Sequence, residues 1–112
     1  MKLNILGSDW KIIHETIAQN KELNKCDGYC DWTMREIHVR KYLSGEYEVK
    51  HISITEKTSL RHEIIHAFLC ESGLWVNTSS SENWSMNEEM VDWIARQLPK
   101  ITDTCKKAGV LR

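Results

Sequence analysis

The two halves of this 112-residue chain carry different patterns of hydrophobicity. In the first half, Leu3 and Ile5 alternate with polar neighbours, as the residues of a half-buried strand do. In the second half, residues 58–72 contain neither glycine nor proline and stop before Gly73, which is typical of a helix. Strands followed by helices predict an α+β fold, in one domain that spans residues 1–112.

The first half predicts a small antiparallel sheet. Residues 3–5 and 10–13 are expected to pair, and residues 29–33 and 36–42 are expected to form a hairpin. The polar stretch 19–25 between them fits a single helical turn. The strand at 36–42 is also a candidate edge, to which an extended peptide would add as a further strand.

The second half predicts helices packed on this sheet. Residues 46–54 fit a strand or a loop, and the first helix follows them. Residues 86–98 predict a second helix, with Ser85 as its candidate N-cap and Pro99 as its end. Residues 100–107 predict a short third helix before the chain ends.

Composition argues against several classes of partner. The chain has 15 basic and 16 acidic residues, so its formal net charge is -1. This balance favours neither nucleic acid nor an anionic membrane surface. No stretch reaches the roughly 18 apolar residues of a membrane span, and the N-terminus lacks the features of a signal peptide. We therefore expect a cytoplasmic protein.

A metal-binding motif lies within the first predicted helix. His62-Glu63-Ile64-Ile65-His66 reads H-E-x-x-H, and histidines four residues apart lie one turn apart on one helix face. Both imidazoles can therefore reach one zinc ion. Glu63 points to the side of the pair, where a carboxylate can take a proton from the attacking water.

A catalytic zinc ion usually has three protein ligands, and the second helix offers the third. The extended pattern H-E-x-x-H-x-x-G-x-x-H fails, since Leu69 and Ser72 occupy its last two defined positions. Burial geometry favours Glu88 as the ligand, because it lies beside the apolar arc of its helix, and Glu89 as a solvated charge. Asp92, one turn after Glu88, is predicted to accept a hydrogen bond from a ligand histidine.

These segments resemble a known family of peptidases. RHEIIHAFL followed by NEEMVDWIA, within residues 59–97, resembles the gluzincin branch of the zincins, and most closely the small ImmA/IrrE-like peptidases and their phage and prophage relatives. The resemblance implies a minimal zincin-like fold and a zinc-dependent protease that cleaves a protein such as a phage or mobile-element regulator, in the cytoplasm of a bacterial host. It also implies that His62 and His66 are zinc ligands, Glu63 the general base and Glu88 the third ligand.

Peptide hydrolysis also needs a donor that stabilises the oxyanion, and the sequence does not choose among several candidates. They are Tyr29, Tyr42, Tyr47 and His51.

The cysteines and tryptophans support weaker predictions. In a cytoplasmic chain the four cysteines are expected to be free thiols, although the C-x3-C spacing of Cys26 and Cys30 leaves a cysteine zinc site as an alternative. Trp75, Trp84 and Trp93 flank the proposed site helices and are expected to close a small core.

Two other functions compete with the peptidase. One is a non-catalytic binding or regulatory protein of phage origin that keeps zinc for stability, and the other is a protein without a metal. Glu63 favours the peptidase, because a purely structural zinc site needs no base. The short chain counts the other way, since it leaves little surface for a long cleft.

Overall fold

The computed structural model of this protein describes residues 1–75 and 87–112, and for Val49 the backbone alone. Four strands and a single 3₁₀ turn precede two long helices. They are β1 (Lys2–Ile5), β2 (Ser8–Glu15), the turn Lys21–Asn24, β3 (Gly28–Asp31), β4 (Glu36–Arg40), α1 (Val49–Glu71) and α2 (Glu88–Lys107). The prediction of an α+β chain with its strands first is therefore confirmed.

The sheet is mixed, with strand order β1-β2-β4-β3. The hairpins β1–β2 and β3–β4 are antiparallel, as predicted, but the central strands β2 and β4 are parallel, so the expectation of an antiparallel sheet is wrong at its centre. Alternation shows which residues face the core but not the direction of a neighbouring strand. Because β4 lies inside the sheet, it is not the predicted edge strand; the edges are β1 and β3.

The core lies between the sheet and α1. Ile5, Trp10, Ile12, Ile37, Val39 and Ala67 are at most 4% exposed and form one cluster. Leu60, Ile64 and Cys70 of α1 pack against it. This packing orients α1, and with it the H-E-x-x-H motif, against the strand β3.

A polar clamp joins the C-terminal end of α1 to the sheet. The carboxylate of Glu71 accepts hydrogen bonds from the Trp10 indole at 2.8 Å and from the Ser8 hydroxyl at 3.2 Å. It also pairs with Arg35, in the turn between β3 and β4. Glu71 therefore connects α1 to two separate parts of the sheet.

Helix α1 is longer than its pattern indicates. It begins at Val49, so residues 49–54 are helical and the assignment of that stretch to a strand or a loop is wrong. Its first turns contain several β-branched residues of modest helix propensity, and Glu48 makes no side-chain capping bond. The local sequence therefore carries no clear start signal.

Helix α2 continues through Pro99, so the predicted second and third helices are one. Asn87 is the N-cap and its side chain accepts a hydrogen bond from the Met90 amide at 2.8 Å, whereas Ser85, the predicted cap, lies outside the described residues. Proline usually ends a helix because it leaves the carbonyl four residues earlier without a donor. Here that carbonyl belongs to Ala95, and it accepts instead from Arg61 Nε at 2.8 Å.

Helix α2 packs on α1 through Val91 and Ala95, both fully buried. Trp93 lies 58% exposed, so it does not close a core as predicted, and Trp84 lies outside the described residues. Trp75 is half-buried and packs edge-on against His66. Neither α1 nor α2 is long and apolar enough to cross a lipid bilayer.

Candidate metal centre

Two imidazoles meet on one face of α1. The Nε2 atoms of His62 and His66 lie 3.1 Å apart, and the rings are inclined at 62° with their centroids 4.8 Å apart. His66 is buried and His62 half-buried. The four-residue spacing alone brings these two groups together, because α1 is regular over the motif.

Helix α2 places a carboxylate against both imidazoles. Glu88, the first residue of α2, lies 2.7 Å from His62 Nε2 through one oxygen and 3.0 Å from His66 Nε2 through the other. Its side chain is 72% exposed, so the centre is open on that side. Glu89 is exposed and is not part of this group.

The three side chains fit a metal ion. Their donor atoms all lie within 4.8 Å of one another, and His62, His66 and Glu88 are the group of metal-type donors that converges within residues 1–75 and 87–112. Ligands at bond lengths near 2.0–2.1 Å around a tetrahedral ion are about 3.3 Å apart, close to the separations seen here. Two imidazoles and one carboxylate therefore offer three ligands with room for a fourth.

Asp92 lies behind His62. Its Oδ1 is 3.4 Å from His62 Nδ1, and its Oδ2 accepts a hydrogen bond from Arg96 Nε at 2.7 Å. The bond from Arg96 holds the pKa of Asp92 below its ordinary value, and His62 adds to the effect. An ionised Asp92 favours a proton on Nδ1, which leaves the lone pair of Nε2 free to face a metal.

Glu63 is a buried carboxylate that does not belong to the donor group. It is 7% exposed and faces β3, where a Cβ on Gly28 would meet its Cγ at 3.3 Å and the His38 carbonyl oxygen at 3.0 Å. Burial raises the pKa of Glu63 to about 7; the electrostatic effect of the neighbouring His62 lowers it and that of Glu88 raises it further. Glu63 can therefore exchange a proton near neutral pH.

Two cavities of different character flank these residues. One, of about 270 Å³, is lined by hydroxyl and charged groups, with Thr55, Thr58, Ser59, Asp27 and Arg96 among its residues. The other, of about 350 Å³, has Tyr29, Cys30, His66 and Trp75 in its lining. Glu63, Glu88 and Gly28 line both, so the two cavities meet at the candidate centre.

The four candidate oxyanion donors differ in their positions and in the contacts they make. Tyr29 lines the larger cavity, but its hydroxyl accepts a hydrogen bond from Asn20 at 2.8 Å and its ring stacks on His38. The Tyr42 hydroxyl donates to Asp27 at 2.8 Å, and burial together with this bond raises the pKa of Tyr42 to about 12. Tyr47 and His51 pack against each other with ring centroids 5.4 Å apart. None of these contacts assigns the role to one residue.

The cysteines of the described residues are free thiols, as predicted. Cys26 Sγ lies 3.5 Å from the Glu22 carbonyl oxygen and Cys30 Sγ lies 3.1 Å from that of Glu63. Burial raises the pKa of Cys30 well above its ordinary value, which disfavours the thiolate that binds metals. The alternative of a cysteine zinc site gains no support from this geometry.

Two residues beside the site were missed by the reasoning from sequence. Gly28 was not singled out, although a glycine inside a strand often marks the close approach of another group, here Glu63. Arg61 precedes the motif directly and carried no signal of its own, since its partner is a backbone carbonyl of another helix.

Comparisons of this chain with protein-family models, with curated proteins and with solved structures find no match.

Proposed function

We propose that this protein is a zinc-dependent metallopeptidase of the ImmA/IrrE-like type, which hydrolyses a peptide bond in a protein substrate. One observation carries the proposal. His62, His66 and Glu88 converge on one point, and the buried carboxylate of Glu63 lies beside them without joining the donor group. A site for metal storage or for stability needs the first three residues but not the fourth.

Zinc is the metal we assign to this donor set. Two imidazoles and one carboxylate, with one position left for water or substrate, are a common ligand set of catalytic zinc. Glu88 is exposed, so substrate has access from that side. Asp92 behind His62 supports the same assignment, since a carboxylate that orients a ligand histidine raises the affinity for the metal.

The chemistry follows from the position of Glu63. Zinc held by the three ligands would polarise the scissile carbonyl and make a water molecule acidic enough to ionise near neutral pH. Glu63 takes a proton from the attacking water and passes it to the leaving amine as the C–N bond breaks. Its raised pKa suits both steps, because the same group must accept and then donate the proton.

The surroundings of the site suit an extended polypeptide as substrate. β3 is an edge strand, and a Cβ added to its Gly28 would lie 3.3 Å from Glu63 Cγ, so a peptide that adds to β3 would pass close to the reacting groups. The two cavities that meet at Glu63 offer room for side chains on either side of the scissile bond. From the resemblance, we take the substrate to be a phage or mobile-element regulator in the bacterial cytoplasm, with no part for nucleic acid or membrane.

The first test is the metal content of the purified protein after reconstitution with zinc, for wild type, Glu88→Ala and Glu89→Ala. We expect one zinc ion per wild-type chain, a strong loss in Glu88→Ala and no loss in Glu89→Ala. The two variants remove the same group from adjacent residues, so only the position in the site differs. A wild-type protein that binds no zinc would refute the proposal.

Catalysis is tested separately, with zinc-loaded wild type and Glu63→Gln on a mixture of quenched peptides and on candidate regulators. Loss of a general base typically lowers turnover by about 10²–10⁴-fold, and we expect Glu63→Gln to keep its zinc. Cleavage of equal rate in both proteins would rule out the role of Glu63. Zinc binding with no cleavage of any substrate would favour the zinc-stabilised binding protein instead.

A further inference from the structure

Two residues of β3 present their backbone groups at the open edge of the sheet. The Arg40 amide donates to the Asp27 carbonyl at 2.9 Å, so these residues form a hydrogen-bonded pair, and such pairs alternate along an antiparallel ladder. The amides and carbonyls of Gly28 and Cys30 therefore point away from β4, to the side where no further strand of the described residues follows. A peptide that adds to β3 would pair with Gly28 and Cys30.

β3 runs from the smaller cavity, of about 270 Å³, to the larger one. Asp27 lines only the smaller cavity, Cys30 lines only the larger, and Gly28 between them lines both. Antiparallel pairing is the more stable arrangement per residue, and it makes an added peptide run from the larger cavity to the smaller one. When the scissile bond lies at Glu63, the side chain that follows this bond therefore reaches the smaller cavity.

The lining of the smaller cavity is rich in hydroxyl groups. Thr55, Thr58 and Ser59 of α1 contribute them. Thr58 is buried, and its hydroxyl donates to the Ile54 carbonyl at 2.8 Å and accepts from Arg61 at 3.3 Å. A purely apolar side chain would separate polar groups from water without replacing their hydrogen bonds, which costs free energy. The cavity therefore favours a side chain with a polar group of its own.

Most charged residues of this lining already have a partner or a role. Two of them form an ion pair across one turn of α2, and three serve the proposed chemistry of the metal centre. They are Arg96 with Asp92, and then His62, Glu63 and Glu88. The charged residue of the lining that remains is Asp27.

Asp27 offers a carboxylate to a ligand. It is exposed, and its Oδ1 accepts a hydrogen bond from the neutral hydroxyl of Tyr42 at 2.8 Å. Of the ion pairs formed within residues 1–75 and 87–112, none includes Asp27. Ile54, 57% exposed in the same lining, offers apolar surface along which the stem of a lysine or an arginine can lie. The cavity therefore matches a long side chain that ends in a positive charge.

We propose that the smaller cavity is a specificity pocket for lysine or arginine at the residue directly after the scissile bond, with Asp27 as the partner of the positive charge. The inference rests on the proposed function, because it requires a peptide bond at the metal centre. An acidic residue at the same position would meet Asp27 as a like charge and would be rejected. Asp27 determines specificity here and takes no part in the reaction.

Peptide binding tests this pocket without any cleavage. Zinc-loaded Glu63→Gln is titrated, by calorimetry, with capped peptides that differ only after the central bond, where they have lysine, leucine or glutamate. We expect the lysine peptide to bind several-fold more tightly than the other two. Adding Asp27→Asn should remove most of this preference, because asparagine can still accept from Tyr42 but has no charge. Adding Asp103→Asn, the same change at an exposed residue of α2, should leave the preference intact.

Charge reversal makes the test sharper. Asp27→Lys, also in the Glu63→Gln background, should bind the glutamate peptide more tightly than the lysine peptide, which inverts the order of affinities. Circular dichroism should show no change of fold, since Asp27 is exposed. Equal binding of the peptides, binding of none of them, or a preference for lysine that survives both changes of Asp27 overturns the proposal.

Cleavage by the zinc-loaded wild type separates this inference from the proposed function. Mass spectrometry of the products should place lysine or arginine at the new N-terminus; lysine at the new C-terminus instead would contradict the antiparallel direction. Cleavage without any preference would leave the peptidase standing and refute the pocket. A binding preference that depends on Asp27, without cleavage of any peptide, would support the pocket as a site for basic residues and count against the peptidase.

Discussion

Arg61 donates a hydrogen bond from Nε to the carbonyl oxygen of Ala95, the oxygen that Pro99 deprives of its helical donor. This contact gives the Ala95 carbonyl the donor that a proline four residues later cannot supply, and it joins α2 to α1. Arg61 directly precedes His62 on α1, and Glu88 and Asp92 lie one to two turns before Ala95 on α2. The bond therefore holds together the two helices that carry the candidate ligands.

A double-mutant cycle between Arg61→Met and Pro99→Ala tests this coupling. Arg61→Met keeps most of the aliphatic stem but removes the donor, and should lower the free energy of unfolding by about 1–3 kcal/mol. In the Pro99→Ala background the new amide of residue 99 can donate to the Ala95 carbonyl. Arg61→Met should then lower the free energy of unfolding by a smaller amount. Urea denaturation of the four proteins measures the difference. Additive effects, within about 0.5 kcal/mol, would contradict a shared acceptor.

Asp92→Asn should weaken zinc binding without abolishing it. Asparagine cannot supply the negative charge that favours a proton on His62 Nδ1, and loss of such a partner typically costs about 10–100-fold in metal affinity. Competition with a zinc chelator measures this. Asp103→Asn, an exposed acid on the same helix, is the control and should bind zinc as the wild type does. If Asp92→Asn and Asp103→Asn bind zinc with equal affinity, Asp92 does not orient His62 for the metal.

Glu63 should make the metal-free protein less stable as the pH rises. Burial raises its pKa from 4.5 to about 7, so the folded state disfavours the carboxylate that the unfolded chain forms freely. Stability is therefore lost between about pH 4.5 and about pH 7 and is level above that range. Glu63→Gln removes this dependence on pH, because the amide side chain carries no ionisable proton.

Melting temperatures of the metal-free proteins check the effect of Glu63. We expect the melting temperature of Glu63→Gln to exceed that of the wild type by a margin that grows from about pH 5 to about pH 8. Glu89→Gln, at an exposed residue, should show no such trend. A difference in melting temperature that is constant with pH would mean that burial does not raise the pKa of Glu63 in the folded protein.

The clamp at Glu71 should produce the opposite dependence on pH. The bond from Arg35, with those from Trp10 and Ser8, holds the pKa of Glu71 below its ordinary value of 4.5. The stabilisation is then complete above about pH 4.5 and is lost as the pH falls through the lower pKa of the folded state.

Glu71→Gln should accordingly lower the melting temperature by a few degrees at neutral pH and by less in acid, as followed by calorimetry. Glu22→Gln is the control, because the Glu22 carboxylate is 65% exposed and lies 3.9 Å from its lysine partner. If Glu71→Gln loses as much stability in acid as at neutral pH, the ionised clamp is not what stabilises this end of α1.

Local spacing was enough to bring the imidazoles together. His62 and His66 meet because residues four apart on a helix share a face, and the pattern of residues 58–72 predicts a helix. The choice of Glu88 over Glu89 followed from the same periodicity, applied to the apolar arc of α2. These relationships lie within one helix, where neighbours in sequence determine neighbours in space.

The sequence by itself determined the α+β class, the hairpins and the face of each helix that carries the candidate ligands. Only the tertiary structure decided that β2 and β4 are parallel, that β3 is the strand beside Glu63, and that α2 continues through Pro99. Each depends on groups far apart in the chain, such as Arg61 and the carbonyl of Ala95, 34 residues apart. Hydrophobic periodicity records whether a residue faces the core, but not which distant backbone group it will meet there.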